Sequence, residues 1–134
     1  MAGLTTNSLA ACRTRNSFIT RLALIYFGGR FSHAIRKGPL LRRGEGPTRG
    51  LFAAEHICAR VPKLDELRTA ERALGAIPFA MPLYARVDLI RDADAVPCVL
   101  ELELTEPSLF FAHAAGSVER FAALLLNYQL SGGS

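Results

Sequence analysis

The sequence of 134 residues has no tryptophan and only three cysteines, Cys12, Cys58 and Cys98. They are far apart, and no CxxC pair occurs among them. An odd number of cysteines without that spacing argues against a disulfide framework and against a zinc site. Disulfides are rare in reducing compartments, so this usage favours a cytoplasmic protein. We expect Cys98 to be a small core residue within a strand.

The sequence also lacks a long apolar run. No window reaches the roughly 18 apolar residues that a membrane-spanning helix needs, and prolines interrupt the most apolar stretch, residues 76–85. We therefore expect no membrane partner. Residues 1–20 contain no acid and are rich in serine, threonine and arginine. We predict a disordered leader there, with an organellar transit peptide as the alternative.

Acidic residues are missing from the first third of the chain. The first acid is Glu45, and eight basic residues precede it: Arg13, Arg15, Arg21, Arg30, Arg36, Lys37, Arg42 and Arg43. Residues 1–44 thus carry +8, whereas the remaining 8 basic and 12 acidic side chains give −4. A basic half beside an acidic half could bind nucleic acid or polyphosphate, but mutual neutralisation at a solvated surface explains it equally well. Nucleic-acid binding ranks last, because few aromatic residues there are available for stacking.

Several short functional motifs are absent. The sequence contains no G-x-x-x-x-G-K-[ST] loop, no G-x-G-x-x-G turn and no G-x-S-x-G elbow. Ser32 and His33 are neighbours in a predicted strand, so their side chains should point to opposite faces and form no nucleophile–base pair. His33 would share its face with Phe31 and Ile35, which predicts a half-buried histidine with satisfied hydrogen bonds, with a catalytic base as the alternative.

Two alternating segments around residues 84–109 are the most informative part of the sequence. Arg86 and Asp88 alternate with apolar residues in the first segment, and Glu101 and Glu103 do so in the second. Alternation is typical of half-buried strands, and the polar turn between the segments predicts a hairpin. We place Asp88 opposite Glu101 and Arg86 opposite Glu103, so that all four share a face.

Three carboxylates on one face, from Asp88, Glu101 and Glu103, repel each other unless a cation lies between them. Mg²⁺ takes oxygen ligands and is usually bound through carboxylates together with substrate phosphates. Arg86 would then neutralise a phosphate. The spacing leaves a second interpretation open, namely an exposed charged face with cross-strand Arg–Glu pairs.

The remaining pattern predicts an α+β fold, an antiparallel sheet with two main helices packed on one side. Residues 22–27 and 31–37 form strands around a Gly28-Gly29 turn, and residues 38–50 are a glycine-rich loop. Residues 51–60 could be strand or short helix. The first helix covers residues 64–74, after Pro62. Ser117 would cap the second helix, whose buried face is the stripe Val118, Phe121, Ala122, Leu125 and Tyr128.

The ARVD segment ending at Asp88, the Glu-x-Glu of Glu101 and Glu103, and the nearby proline resemble the C-terminal half of an ATP-grasp domain. D-alanine–D-alanine ligase and glutathione synthetase belong to that superfamily of carboxylate–amine ligases. The resemblance covers residues 21–128, with 129–134 as a flexible tail. It implies that Asp88, Glu101 and Glu103 hold Mg²⁺ and that Arg86 and Glu101 contact ATP.

The match to the family pattern is incomplete around the second strand. Glu103 stands where most ATP-grasp enzymes have asparagine, and Pro107 follows it by four positions instead of three. Glu106 therefore competes with Glu101 or Glu103 as a metal ligand.

The segment FSHAIRK, residues 31–37, is similar to the hairpin that precedes the metal strands in one ATP-grasp subgroup. Lys37 matches the basic residue that reaches towards phosphate or the acyl-phosphate intermediate, with Arg36 as the second choice. The alternative is an edge strand protected by charges. Arg42, Arg43 and Arg49 match a substrate-binding arginine only loosely, and a solvated loop is expected there.

The resemblance implies a ligase that activates a carboxylate as acyl phosphate and transfers it to an amine or thiol. ATP and Mg²⁺ would be the cofactors, a small carboxylate the substrate, and Arg86 and Lys37 the catalytic residues. No segment before residue 20 matches the family's substrate domain or its nucleotide-binding lobe. We therefore expect a truncated chain that is inactive alone or needs a separate chain, with a non-catalytic remnant or interaction module as the alternative.

Overall fold

The structure is a computed structural model that describes residues 20–38 and 57–132. It contains a five-stranded antiparallel sheet in the order β3-β2-β1-β4-β5, with one helix on each face. The strands are β1 Arg21–Phe27, β2 Arg30–Lys37, β3 Ile57–Arg60, β4 Tyr84–Arg91 and β5 Pro97–Glu103. The helices are α1 Leu64–Gly75 and α2 Ser117–Ser131, with a 3₁₀ turn at Phe111–His113. The predicted class, an antiparallel sheet with two helices, is confirmed.

The predicted hairpin around Gly28-Gly29 is present as β1 and β2. Both glycines have positive φ, 58° and 79°, which residues with a Cβ rarely adopt. A Cβ added to Gly28 would lie 2.9 Å from a methyl group of Leu124 on α2. Glycine is thus required at this turn both for its backbone conformation and for the close approach of the second helix.

A β-bulge in β2 changes which way its side chains point. Ile25 pairs with His33 and Tyr26 pairs with Phe31, so Ser32 is an extra residue on β2. A bulge breaks the alternation of the strand, and the Ser32 hydroxyl lies 2.8 Å from His33 Nδ1. The expectation that these two side chains point apart and do not pair is therefore wrong.

The hairpin of β4 and β5 has the predicted register at its centre. Asp88 pairs with Glu101 and Arg86 pairs with Glu103. The register then shifts between Asp88 and Leu89, which pairs with Val99 and leaves one extra residue on β5. This second bulge lies directly beside the acidic pair.

The two helices pack on opposite faces of the sheet, not on one side as predicted. Ala70 and Leu74 of α1 contact the face of β1 that carries Leu22, Leu24 and Tyr26. Phe121 and Leu124 of α2 contact the opposite face, with Ala23, Ile25 and Phe27. Because every residue of β1 after Arg21 is buried, its apolar pattern requires cover on both faces.

The first helix begins at Leu64 as predicted, with Glu66 accepting a hydrogen bond from the Lys63 backbone N–H at 2.7 Å. The second helix differs from the prediction. Ser117 is its first residue, Gly116 occupies the N-cap position, and the predicted stripe is largely exposed, with Val118 at 51% and Tyr128 at 61%. Helix α2 continues through Ser131, into the segment predicted as tail.

The predicted leader, the glycine-rich loop with Arg42, Arg43 and Arg49, and the start of the 51–60 segment lie outside the described residues. The end of that last segment, Ile57–Arg60, is a strand. Within the described residues, no helix combines the length and apolarity required to cross a membrane.

Candidate functional site

The predicted site residues lie on the sheet face that also carries α2. Lys37 is the last residue of β2 and pairs with Arg21, whereas Asp88 of β4 pairs with Ala23. Helix α2 packs near the other end of β1, where Phe27 contacts Phe121. The register of the three strands therefore brings Lys37 and Asp88 together across β1, at the part of this face that α2 does not cover.

Asp88 is the centre of the site, and its side chain is only 1% exposed. Its Oδ1 accepts a hydrogen bond from Arg86 Nε at 2.7 Å. Its Oδ2 lies 3.7 Å from Lys37 Nζ but is buried with no hydrogen-bond partner. A buried carboxylate oxygen of this kind is costly unless something donates to it or coordinates it.

Arg86 occupies the space between the two acidic residues of the central pair. Besides Asp88, it reaches Glu101, with 3.5 Å between Arg86 Nη2 and Glu101 Oε2. Burial lowers the pKa of Arg86, but the hydrogen bond and the negative charge of Asp88 outweigh that effect and raise it overall. The cation that the crowded carboxylates require is thus supplied, in part, by the chain itself.

The two glutamates of β5 have different environments. Glu101 has a side chain 48% exposed, so its ion pair with Arg86 is weak. Glu103 accepts three hydrogen bonds at Oε1, from the backbone of Thr105 and Glu106 and from the Thr105 hydroxyl, at 2.8 to 3.1 Å. These bonds, led by that from Glu106, lower the pKa of Glu103 to about 2. Glu103 therefore closes the turn after β5.

The structure thus brings together Lys37, Arg86, Asp88 and Glu101, while Glu103 is engaged in a turn next to them. No group of three histidine, cysteine or acidic side chains in the described residues is arranged to hold a metal ion. A site that uses two carboxylates and relies on phosphate oxygens for further ligands needs no such group.

Sequence reasoning missed the segment that follows β5. The Phe110 ring lies under Lys37, with 5.2 Å from Nζ to the ring centroid. The backbone of Phe110 is left-handed, with φ 50° and ψ 36°. Nothing in the sequence signals a left-handed phenylalanine, because glycine and asparagine are the residues that normally mark that conformation.

An antiparallel sheet with Arg-x-Asp on one strand and Glu-x-Glu on its neighbour is the arrangement that the resemblance to ATP-grasp domains predicts. No protein-family model matches the sequence. The cycloserine biosynthesis protein DcsG of Streptomyces lavendulae is 38% identical over 107 residues, covering 76% of this chain and 35% of that protein. The crystal structure of D-cycloserine synthetase DcsG matches with a TM-score of 0.65 and 34% identity, over 80% of this chain and 37% of that one.

Two more distant structures share the fold. The ATP-grasp ligase PsnB, complexed with minimal precursor, Mg and ADP, has a TM-score of 0.56 at 17% identity, over 81% of this chain and 33% of that one. D-alanine–D-alanine ligase from Bacillus anthracis, complexed with ATP, has a TM-score of 0.52 at 18% identity, over 84% and 38%. Over about four fifths of its length the chain thus has the fold of part of an ATP-grasp ligase, and it spans about a third of the length of these relatives.

Proposed function

We propose that the face formed by Lys37, Arg86, Asp88 and Glu101 binds the phosphates of ATP together with Mg²⁺. It would be the phosphate-binding part of a ligase that activates a small carboxylate as an acyl phosphate for transfer to an amine or thiol. Because the chain spans about a third of its relatives, the whole reaction would also need residues beyond the matched part. Those residues would come from the same chain or from a separate one. We also propose a cytoplasmic location.

The observation that carries this proposal is that Asp88 Oδ2 is buried without a hydrogen-bond donor, although the Lys37 ammonium lies 3.7 Å from it. It is buried beside two cationic side chains that are themselves only 9% and 10% exposed, Arg86 and Lys37. A protein gains no stability from leaving a carboxylate oxygen unsatisfied at such a place. A carboxylate oxygen that lacks a donor is a ligand that a hard divalent cation can use.

The donor set fits Mg²⁺. Asp88 would supply Oδ2 and Glu101 its half-exposed carboxylate, which lies next to Asp88 across the strand pair. Glu103 would be a third ligand only through Oε2, since Oε1 is held by the turn. Glu106 remains the alternative third ligand. When bound, Mg²⁺ would bridge phosphate oxygens and stabilise the charge that develops on them.

The two cations of the site would contact the phosphates directly. Arg86 stays charged, as the raised pKa of its guanidinium shows, and its planar fork suits paired contacts with phosphate oxygens. Lys37 presents a point charge beside Asp88. Both side chains are held in place before a ligand arrives, so their electrostatic stabilisation of an acyl phosphate would need little rearrangement.

One observation favours the second candidate, a non-catalytic module that keeps the fold. Arg86 links Asp88 to Glu101, and Lys37 adds a further positive charge. Two cations and two carboxylates therefore neutralise each other without any ligand. A chain that has lost the reaction could keep this cluster for stability alone.

Calorimetry with the full chain separates the two candidates. We expect weak binding of Mg-ATP, detectable at about 1 mM nucleotide, and its loss when Mg²⁺ is removed with a chelator. Asp88→Asn, which keeps the shape and removes the charge, should abolish binding. Asp94→Asn, at an exposed position in the turn of the same hairpin, is the matched control and should bind like the wild type. An absence of heat from the wild-type chain, or equal binding by Asp88→Asn, would favour the non-catalytic module.

A further inference from the structure

Three consecutive residues after β5, Ser108, Leu109 and Phe110, are each held by a side chain of the sheet. The Tyr84 hydroxyl donates to the Ser108 carbonyl and accepts from its backbone N–H, both at 3.2 Å. His33 Nε2 lies 2.8 Å from the Leu109 carbonyl oxygen. Lys37 Nζ lies over the ring of Phe110. This segment therefore connects the middle of β2 with the end of β2 that carries Lys37.

The conformation of Phe110 shows that these contacts impose its position. A left-handed backbone is unfavourable for a bulky side chain and persists only where the surroundings determine it. His33 bonds to the carbonyl of Leu109, the residue just before the left-handed one, and the Phe110 carbonyl accepts from the His113 backbone N–H at 3.0 Å. Of these two bonds, the one from His33 ties the segment to β2, the strand that carries Lys37.

We propose that His33 is a positioning residue, which holds Phe110 beneath Lys37 through the Leu109 carbonyl and so fixes the Lys37 ammonium beside Asp88. The ammonium then stays 3.7 Å from Asp88 Oδ2. The inference rests on the proposed function in one respect: the Lys37 ammonium is the group that would contact a phosphate. It concerns a residue that the proposed site itself does not contain.

His33 is suited to this role because both ring nitrogens have defined partners. Nε2 faces a carbonyl and must carry a proton, so in the neutral ring Nδ1 accepts from the Ser32 hydroxyl at 2.8 Å. Arg120 of α2 in turn donates to the Ser32 oxygen, at 3.2 Å from Nε and 3.1 Å from Nη2. The bulge at Ser32 makes this arrangement possible. Through Ser32 and Arg120, the imidazole is connected to the second helix.

The surroundings of His33 favour its neutral form. Burial lowers the pKa of His33 most, and Arg120 from α2 and His113 from the 3₁₀ turn lower it further, against the opposing effect of the Leu109 hydrogen bond. The ring of Phe27 on β1 packs edge-on against the imidazole, at 6.0 Å between centroids. A neutral, fixed ring is a better support for a backbone segment than one that changes charge near neutral pH.

Nuclear magnetic resonance of the full chain tests the proposal through the methylene protons next to Lys37 Nζ, which the Phe110 ring current should shift upfield. His33→Phe keeps a ring against Phe27 but loses the donor to Leu109, so the upfield shift should fall by more than half. His33→Gln keeps an N–H donor and should restore most of the shift. Thermal unfolding checks that both variants fold. If His33 had only a structural role, the Lys37 shift would be the same in the two folded variants.

An unchanged Lys37 shift in folded His33→Phe would overturn the proposal, as would equal losses in the Phe and Gln variants. If His33→Phe does not fold, His33→Asn makes the same test, because its amide is too short to reach Leu109. A second readout is Mg-ATP affinity, which should weaken about three- to tenfold in the Phe variant, as for loss of a cation–π contact. If the wild type binds no Mg-ATP, the proposed function fails, whereas the Lys37 shift still decides this inference.

Discussion

Replacing Asp88 by asparagine should destabilise the fold strongly, although the two side chains have nearly the same volume. Asparagine leaves no cavity and can still accept from Arg86 Nε, which lies 2.7 Å from Oδ1. What is lost is the negative charge between two cationic side chains that are 9% and 10% exposed. Removing one partner of a buried ion pair costs about 3 to 5 kcal/mol. Lys37 keeps its contact with the Phe110 ring when the charge of Asp88 is removed, so we expect the lower end of this range, about 3 kcal/mol.

The assay is urea unfolding of the full chain, with the free energy of unfolding extrapolated to zero denaturant. Asp94→Asn serves as the control and should stay within about 0.5 kcal/mol of the wild type, as is usual for exposed positions. A Lys37→Met background isolates the charge effect, because Asp88→Asn should cost at least about 1 kcal/mol less there. A cost of Asp88→Asn below about 0.5 kcal/mol, or an equal cost in both backgrounds, would refute this reasoning.

Two further predictions concern the turn after β5 and the turn between β1 and β2. Because the folded-state pKa of Glu103 is lowered from 4.5 to about 2, its contribution to stability should be complete above pH 4.5 and disappear as the pH falls towards 2. Comparing the unfolding of wild type and Glu103→Ala between these pH values measures it, and a difference that persists at pH 2 would contradict the assignment. Gly28→Ala should destabilise by about 1 to 3 kcal/mol, since φ is positive and the new Cβ would meet Leu124. Gly75→Ala is the matched control, with open space around it, and should stabilise by about 0.5 kcal/mol; equal effects of the two substitutions in thermal melts would argue against the strained turn.

The parts of the fold that depend on the periodicity of apolar residues and on the residues of tight turns were predictable from the sequence. The alternation around Arg86 and Asp88 predicted their strand, and the pairing of Asp88 with Glu101 is confirmed. The Gly28-Gly29 turn and the first helix are also where the sequence places them. In each case the signal is local, because a strand face or a turn is determined by residues close together in the chain.

The features that were missed depend on packing between distant segments. A bulge leaves no trace in a short alternating run, so the pairing of Ser32 with His33 could not be inferred. Of the stripe predicted on α2, Phe121 contacts the sheet, whereas Val118 and Tyr128 are exposed. Leu124, which lies outside that stripe, is in contact as well, and only packing against the sheet decides which side of α2 is buried. The left-handed backbone of Phe110 likewise follows from its neighbours and not from its own propensity.

The central claim is that Asp88 and Glu101 hold a divalent cation only together with nucleotide phosphates. The most direct measurement replaces Mg²⁺ by paramagnetic Mn²⁺ and records which backbone amide signals of the full chain broaden. The proposed function predicts that Mn²⁺ with ATP broadens the amides of Asp88, Glu101 and their strand neighbours, and that Mn²⁺ alone does so much less. Broadening centred on Asp92 and Asp94 in the turn between β4 and β5, or none in the presence of ATP, would contradict the claim.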